Sequence, residues 1–112
     1  DSLVLQELHV ALPALTPEQR AAALEKAAEA RAQRAQMKGR LKSGEVALSA
    51  VLVQAETDEA LAKMKVVSLL ESLPGVGHAT ARSLMERIGI SEARRVRGLG
   101  PHQRAALVER FG

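Results

Sequence analysis

Two glycine-rich turns in the last third of the chain carry the residues best suited to chemistry. The first spans residues 73–77, Leu-Pro-Gly-Val-Gly, and the second spans 94–101, Arg-Arg-Val-Arg-Gly-Leu-Gly-Pro. Each precedes apolar residues at helical spacing. Glycine adopts positive φ and lets a partner approach the backbone, while a helix start presents unpaired N–H groups and a positive dipole end. The spacing therefore predicts two anion sites, suited to successive phosphates of a nucleic acid.

In the first turn, Gly75 and Gly77 bracket Val76, which we expect to anchor the turn to the core. The N–H groups of Gly75, Gly77 and His78 are predicted to converge on one phosphate oxygen. Thr80, in the first turn of the following helix, would add a hydroxyl contact. Glycine turns also occur at ordinary helix corners, so the assignment depends on the apolar helix pattern that follows.

The second turn adds three arginines. We expect Arg94 and Arg97 on one side of a short helical turn, with Arg95 beside them and Val96 directed into the core. Guanidinium groups bind phosphates in a two-pronged manner or insert into a minor groove. Only Glu92 lies close enough in sequence to neutralise them. The predicted contacts of this region also include Arg82, Gly98, Leu99 and Gly100, with Gln103 and Arg104 as secondary candidates.

A third basic feature is a stripe on a long helix. Steps of three, four and four residues place its members on one helical face, and these members are Arg31, Arg34, Lys38 and Lys42. A solvated helix often carries such a stripe, so it is either an ordinary surface or a second nucleic-acid contact. If it binds, we expect it to lie away from the two turns and to contact another part of the same duplex or a second duplex.

The elements that must position these residues are all predicted to be helical. Thr16, Pro17 and Gln19 form a capping-box start, and Gly44 is a natural stop. Five shorter elements are expected after this long helix: 48–55, either capped by Ser49 or begun slightly earlier, 60–73 with a break at residues 66–67, 78–87 ended by Gly89, a helical turn from Ser91, and a final helix from Pro101 to Arg110. The predicted organisation is an extension at 1–15, a long basic helix or arm at 16–44, and a helical domain at 45–112.

Composition supports this fold class. The 112 residues include one Phe, no Trp, no Tyr and no Cys, so Leu, Val, Ile, Met and Ala must form the core, and disulfides and thiolate metal sites are excluded. No stretch is long and apolar enough for a membrane span. The three histidines are scattered and no nucleophile–base pair or phosphate-binding loop of an NTPase occurs. We therefore expect neither catalysis nor a metal or cofactor.

The charges are segregated along the chain. Residues 20–44 carry seven Lys and Arg against two acids, and residues 74–112 carry seven Arg against three acids. Residues 1–19 and 45–73 are each net −3, and the whole chain is net +3. Two basic blocks separated by an acidic one favour two anion-binding surfaces over a uniformly solvated exterior.

Residues 73–107 resemble the helix–two-turns–helix module, which is shared by a ribosomal protein of the small-subunit head and by base-excision glycosylases. Other segments resemble the actinobacterial integration host factor family: Val10-Ala-Leu-Pro, 15–27, Lys63-Met-Lys-Val and Arg97-Gly-Leu-Gly. The likeness extends from Val10 to Gly112. It departs from the family where His78 and Thr80 replace common basic residues, and the catalytic N-terminal proline of the glycosylases has no counterpart.

The resemblance implies a nucleoid-associated, cytoplasmic protein that binds duplex DNA with little sequence preference. It further implies that the protein bends and compacts DNA, influences supercoiling and assists phage-integrase recombination. Residues 94, 95 and 97 match the family's basic DNA-contacting motif, and residues 75–77 match its hairpin. A monomer that contacts the backbone or minor groove is expected, with bridging of two duplexes left open. Two alternatives remain: a ribosomal-type RNA-binding protein and a helical protein–protein adaptor.

Overall fold

The computed structural model describes residues 15–112, and the predicted extension lies almost wholly outside the described residues. Seven regular elements follow one another in this part of the chain. They are α1 (Pro17–Lys42), α2 (Leu48–Gln54), α3 (Glu59–Ala62), α4 (Val66–Glu71), α5 (His78–Ile88), a 3₁₀ turn (Val96–Gly98) and α6 (Pro101–Phe111). The expected all-α class is confirmed, with a long first helix and a set of short ones.

The ends of these helices follow the local signals in the sequence. Thr16 Oγ1 accepts the N–H of Gln19 at 3.0 Å, and Gln19 Oε1 accepts the N–H of Thr16 at 2.9 Å, which completes the predicted capping box. Gly44 follows α1 with a φ of 79°. Asp58 caps α3 by accepting the N–H of Ala60 at 3.0 Å. Gly89 ends α5 in the left-handed region, with a φ of 86°.

Of the two starts predicted for α2, the earlier one is observed, and Ser49 is not its cap. Ala47 occupies the N-cap position and makes no side-chain hydrogen bond to the helix. The Oγ and the backbone N–H of Ser49 instead both donate to the carbonyl of Gly112, each at 3.2 Å. A main-chain carbonyl after α6 therefore serves the start of α2, in agreement with the packing of these two helices.

The chain divides into two compact units at Ala30 and Arg31. In the first unit, residues 15–29 are all exposed. The second unit, 31–112, contains the hydrophobic core, in which Met37 and Leu41 of α1 are buried with Leu, Val, Met, Ala and Ile side chains of the later elements. The last three turns of α1 thus belong with the C-terminal unit, which begins before the boundary expected at residue 45.

An isolated antiparallel bridge joins the segment between α3 and α4 to the segment before the 3₁₀ turn. The N–H of Val66 donates to the carbonyl of Arg94 at 3.0 Å, and the N–H of Val96 donates to the carbonyl of Met64 at 2.9 Å. Extended backbone alternates its side chains between two faces. Met64, Val66 and Val96 are accordingly buried, while Lys65, between the first two, is exposed.

Candidate nucleic-acid interface

A basic concavity of about 560 Å³ lies in the C-terminal unit. Four parts of the chain contribute to it: the C-terminal half of α1, the segment between α3 and α4, α4 itself, and the start of the 3₁₀ turn. Its cationic lining residues are Arg34, Lys38, Lys63, Lys65, Arg95 and Arg97. Met64 and Ser68 complete the lining, and no acidic side chain belongs to it. We call this feature the basic concavity.

The antiparallel bridge explains how residues distant in sequence reach this site. It pairs Lys65 with Arg95, and the side chains of both residues are exposed. Arg95 has φ −98° and ψ 159°, an extended conformation that precedes the 3₁₀ turn. Its guanidinium donates through Nη1 to the carbonyl of Lys63 at 2.8 Å, which holds the end of that side chain within the concavity.

Most of these cations have no acid to neutralise them. Among residues 15–112, ion pairs are found for Lys63, which binds Glu59 at 2.7 Å, but not for Arg34, Lys38, Lys65 or Arg97. Like charges gathered on one concave wall repel one another and raise the local positive potential. Such an arrangement stores an unfavourable energy that a polyanion relieves on binding.

The structure corrects the expected arrangement of the arginine turn. Because residues 94–96 are drawn into the bridge, Arg94 and Arg97 do not lie together on a helical turn with Arg95 beside them. Arg95 and Arg97 line the basic concavity, whereas the guanidinium of Arg94 donates to the carbonyl of Gly98 at 2.6 Å. Glu92, expected near the triplet, instead pairs with Arg82.

The stripe on α1 is also placed differently from the prediction. Arg34 and Lys38 line the same concavity as Arg95 and Arg97, so this part of the stripe does not lie away from the second turn. The other two members, Arg31 and Lys42, are exposed and do not belong to the lining. The half-buried state of Arg34 and Lys38 reflects their packing beside Met37, the buried residue between them.

Lys63 and Lys65 were missed as site residues by the sequence reasoning. The signal was present: two lysines flank the apolar Met64 immediately before a helix of mostly apolar residues. Alternation of this kind indicates extended backbone with one buried and two exposed side chains. It was obscured because the surrounding pattern is helical on both sides.

The first glycine turn keeps its backbone donors available. Val76 is buried and Gly75 has a φ of 76°, as a tight turn requires. Within residues 15–112, no hydrogen-bond partner is found for the N–H groups of Gly75, Gly77 or His78. The first bond of α5 is donated by Ala81 to the carbonyl of Gly77 at 2.9 Å. Three donors thus face outward at the start of an eleven-residue helix.

The side chains around this turn are less available. His78 contacts the carboxylate of Glu71 through Nδ1, and Arg82 contacts that of Glu92 through Nε. Thr80 is exposed. The first turn therefore offers a phosphate mainly its backbone, whereas the basic concavity offers charge.

In the second glycine turn, the backbone N–H groups donate to acceptors of the turn itself or of the helix that follows. Gly98 and Leu99 donate to the carbonyls of Arg95 and Val96, at 2.9 and 3.1 Å. The N–H of Gly100 donates to Gln103 Oε1 at 3.0 Å, and Pro101 has no N–H. This end of α6 consequently presents fewer free donors than the sequence pattern predicts. The same helix carries Arg104, which binds Glu56 at 2.8 Å.

Comparison with known proteins agrees with this architecture. Residues 41–111 match the family described as the S13-like H2TH domain. An integration host factor of Streptomyces coelicolor is 59% identical over 103 residues, which cover 92% of this chain and 96% of that protein. The integration host factor of Mycobacterium tuberculosis is 58% identical over 103 residues, which cover 92% and 98% respectively.

The chain belongs to the integration host factor family. A solved structure described as sIHF bound to an 8bp palindromic DNA matches it with a TM-score of 0.77 and 55% identity. That match covers 79% of this chain and 99% of the other. The recognition made from sequence is thereby confirmed, including its helix–two-turns–helix module.

Two negative findings apply to the described part of the chain. Among residues 15–112, no helix combines the length and apolar content needed to cross a bilayer. The same residues contain no cluster of three or more His, Asp or Glu side chains placed to hold a metal ion.

Proposed function

We propose that this protein binds duplex DNA through its phosphate backbone, with little dependence on sequence, and shapes the duplex as an architectural protein. The basic concavity carries the proposal, because six cationic side chains and no acid line one surface. A relative of the same family solved with an 8bp palindromic DNA supports the choice of duplex as ligand.

The proposed contacts divide by chemistry. The basic concavity neutralises phosphates or reaches into the minor groove through Arg95 and Arg97, with Arg34, Lys38 and the two lysines around Met64 beside them. The N–H groups at Gly75, Gly77 and His78 hold a further phosphate, with Thr80 as an additional donor. The residues 98–100 serve this interface by shaping the turn.

We extend the proposal to the actions implied by the family. Binding to a surface that a straight duplex cannot contact everywhere at once would bend the DNA. Bending in turn supports compaction, a change in supercoiling and assistance to a phage integrase–DNA complex. On this basis we place the protein in the nucleoid, acting without catalysis of its own.

The test is fluorescence anisotropy with a duplex of about 25 base pairs and an RNA hairpin over a salt series. Each neutralised phosphate contributes about −0.9 to the log–log salt slope, so six contacts predict a slope on the order of −5. Nearly equal affinity for unrelated duplexes is expected. Stronger binding to the hairpin would favour a ribosomal-type RNA function, and binding to neither would favour a protein adaptor.

Bending is tested separately with a duplex that carries a fluorophore at each end. Energy transfer between the ends should rise when the protein binds, since a bend brings the ends together. An unchanged transfer efficiency at saturation would retain DNA binding but remove the architectural action from the proposal.

A further inference from the structure

Three hydrogen bonds hold Arg94 in place. Its N–H donates to the carbonyl of Ser91 at 2.9 Å, and its carbonyl accepts the N–H of Val66 at 3.0 Å. Its guanidinium Nη1 donates to the carbonyl of Gly98 at 2.6 Å. The guanidinium of Arg95 also donates to a carbonyl, that of Lys63. Arg94 differs in that its side chain is half-buried, whereas Arg95 and Arg97 are exposed.

Gly98 complements this side chain. A Cβ added at Gly98 would lie 3.0 Å from Arg94 Cδ and 3.6 Å from Nη1. Gly98 does not have a positive φ, so its backbone conformation does not require glycine. A Cβ at this position would press on the Arg94 stem, which would have to move by a few tenths of an ångström. We call this pair of residues the arginine clasp.

The clasp joins the two ends of the segment that presents the proposed DNA contacts. Arg95, Val96 and Arg97 lie between its two members, and the buried Val96 fixes the middle of the segment to the core. With both ends and the middle fixed, Arg95 and Arg97 are held on the wall of the basic concavity. Side chains ordered in advance lose less entropy on binding.

We infer that Arg94 is a positioning residue, which holds Arg95 and Arg97 toward the DNA through its bond to Gly98 and does not itself bind a phosphate. This inference rests on the proposed function. It assigns different roles to three arginines that the sequence places in one motif.

The first experiment compares Arg94→Met with Arg97→Met in duplex binding over a salt series, at a temperature where circular dichroism shows both folded. Methionine keeps an aliphatic stem and removes the guanidinium in each case. Arg94→Met should weaken binding about tenfold, the equivalent of one charge-assisted hydrogen bond, with an unchanged salt slope. Arg97→Met should reduce the magnitude of the slope by about 0.9, the value for one phosphate.

Other outcomes would overturn the inference. A slope reduced equally by both substitutions would make Arg94 a phosphate ligand. An affinity unchanged by Arg94→Met would show that the clasp contributes to folding alone, or to nothing. If the unmodified protein does not bind the duplex, the proposed function fails. Whether the arginine clasp exists is then tested by a measurement that uses no DNA.

That second measurement is a thermal double-mutant cycle. Gly98→Ala should lower the melting temperature, because Arg94 Cδ must shift by a few tenths of an ångström to admit the Cβ and this strains the bond to the Gly98 carbonyl. In the Arg94→Ala background the obstructing stem is absent, so the same Gly98→Ala change should cost less than half as much. Equal costs in the two backgrounds would show that the clasp does not exist.

Discussion

The two turn–helix units use similar glycine spacing for different purposes. In the first unit, Gly75 needs its left-handed conformation, and the N–H groups of Gly75 and Gly77 find no partner within residues 15–112. In the second unit, Gly98 makes room for an arginine and the N–H of Gly100 is held by Gln103. A glycine-rich turn before a helix therefore does not establish an open anion site, because the donors can be closed by the turn itself.

Charge is distributed in the opposite way. Beside the first turn, His78 and Arg82 each contact a glutamate. In the second unit Arg97 has no acidic partner among the described residues, and Arg95 binds only a carbonyl. The first turn thus offers backbone donors beside side chains that are already paired, and the second turn offers free charge with few backbone donors. Together they supply the two components of phosphate recognition.

The largest effect should come from removing the charge of the second unit. Arg95→Ala/Arg97→Ala is expected to weaken duplex binding on the order of a hundredfold or more, since hydrogen bonds to charged groups contribute about 1.5–3 kcal/mol each. The salt slope should fall in magnitude by about 0.9 for each phosphate that the variant no longer neutralises. Anisotropy titrations measure both quantities, with circular dichroism to confirm the fold.

The control removes two side chains beside the first turn, in His78→Ala/Arg82→Ala. Both groups are already held by glutamates, so binding should change by no more than about threefold, as for screened surface charges. A greater loss in this control than in the arginine variant would reverse the assignment of charge to the second unit.

A smaller effect is expected from α1, where the concavity divides the stripe. Arg34→Ala/Lys38→Ala should weaken binding about tenfold and reduce the magnitude of the slope by about 0.9 for each phosphate left without its cation. Arg31→Ala/Lys42→Ala removes the same charge from the same helix outside the concavity, and should retain the slope. Equal losses in the two variants would mean that the whole stripe contacts DNA, as the sequence alone suggested.

The parts of the fold that could be predicted depend on local signals. The capping box at Thr16, the cap at Asp58 and the stop at Gly89 each involve residues within a few positions of one another. Short-range hydrogen bonds and glycine conformations decide them whatever the rest of the chain does. The helical units that carry the site were accessible for the same reason.

The arrangement of the site depends on a contact between distant segments. The bridge between Lys65 and Arg95 joins two segments about thirty residues apart, and the alternation at 63–65 covers only three residues between two helical patterns. Local sequence patterns alone predict a helical turn at 94–97 and place the stripe on α1 on a separate surface. Tertiary hydrogen bonds overrode the local preference, and this moved Arg94 out of the proposed contact surface.

Gly→Ala substitutions add a single methyl group and so test the backbone N–H groups of the two units. Gly77 has an ordinary φ of −89° and a Cβ there would meet no atom within 4 Å, so Gly77→Ala should fold normally. The added methyl would stand where a phosphate must approach, so affinity should fall roughly three- to tenfold, about one hydrogen bond. Anisotropy and thermal unfolding measure the two effects independently.

Gly100→Ala is the counterpart in the second unit. Its φ is −74° and the added Cβ would lie 3.7 Å from Gln103 Oε1, an ordinary contact. Because the N–H of Gly100 already donates to Gln103, neither duplex affinity nor melting temperature should change appreciably. Loss of affinity at Gly100 with none at Gly77 would exchange the roles of the two turns.

A similarly small effect on binding is expected from Gln103→Ala, which removes the side chain that accepts the N–H of Gly100. Gln103 accepts the N–H of Gly100 and donates to the carbonyl of Gly89 at 2.9 Å, so it joins the start of α6 to the end of α5. Losing both bonds should cost about 1–2 kcal/mol, a fall in melting temperature of roughly 4–8 °C per kcal/mol for a domain of this size.

Duplex affinity at low temperature should stay within about twofold for Gln103→Ala, because the bonds that it breaks are internal and no free charge changes. A loss of affinity with a smaller salt slope would instead make Gln103 a DNA contact. A gain would mean that the freed N–H of Gly100 binds phosphate, and that the second turn is an anion site kept closed by its own glutamine. Only the unchanged result keeps the two units distinct, one recognising phosphate through its backbone and the other through its arginines.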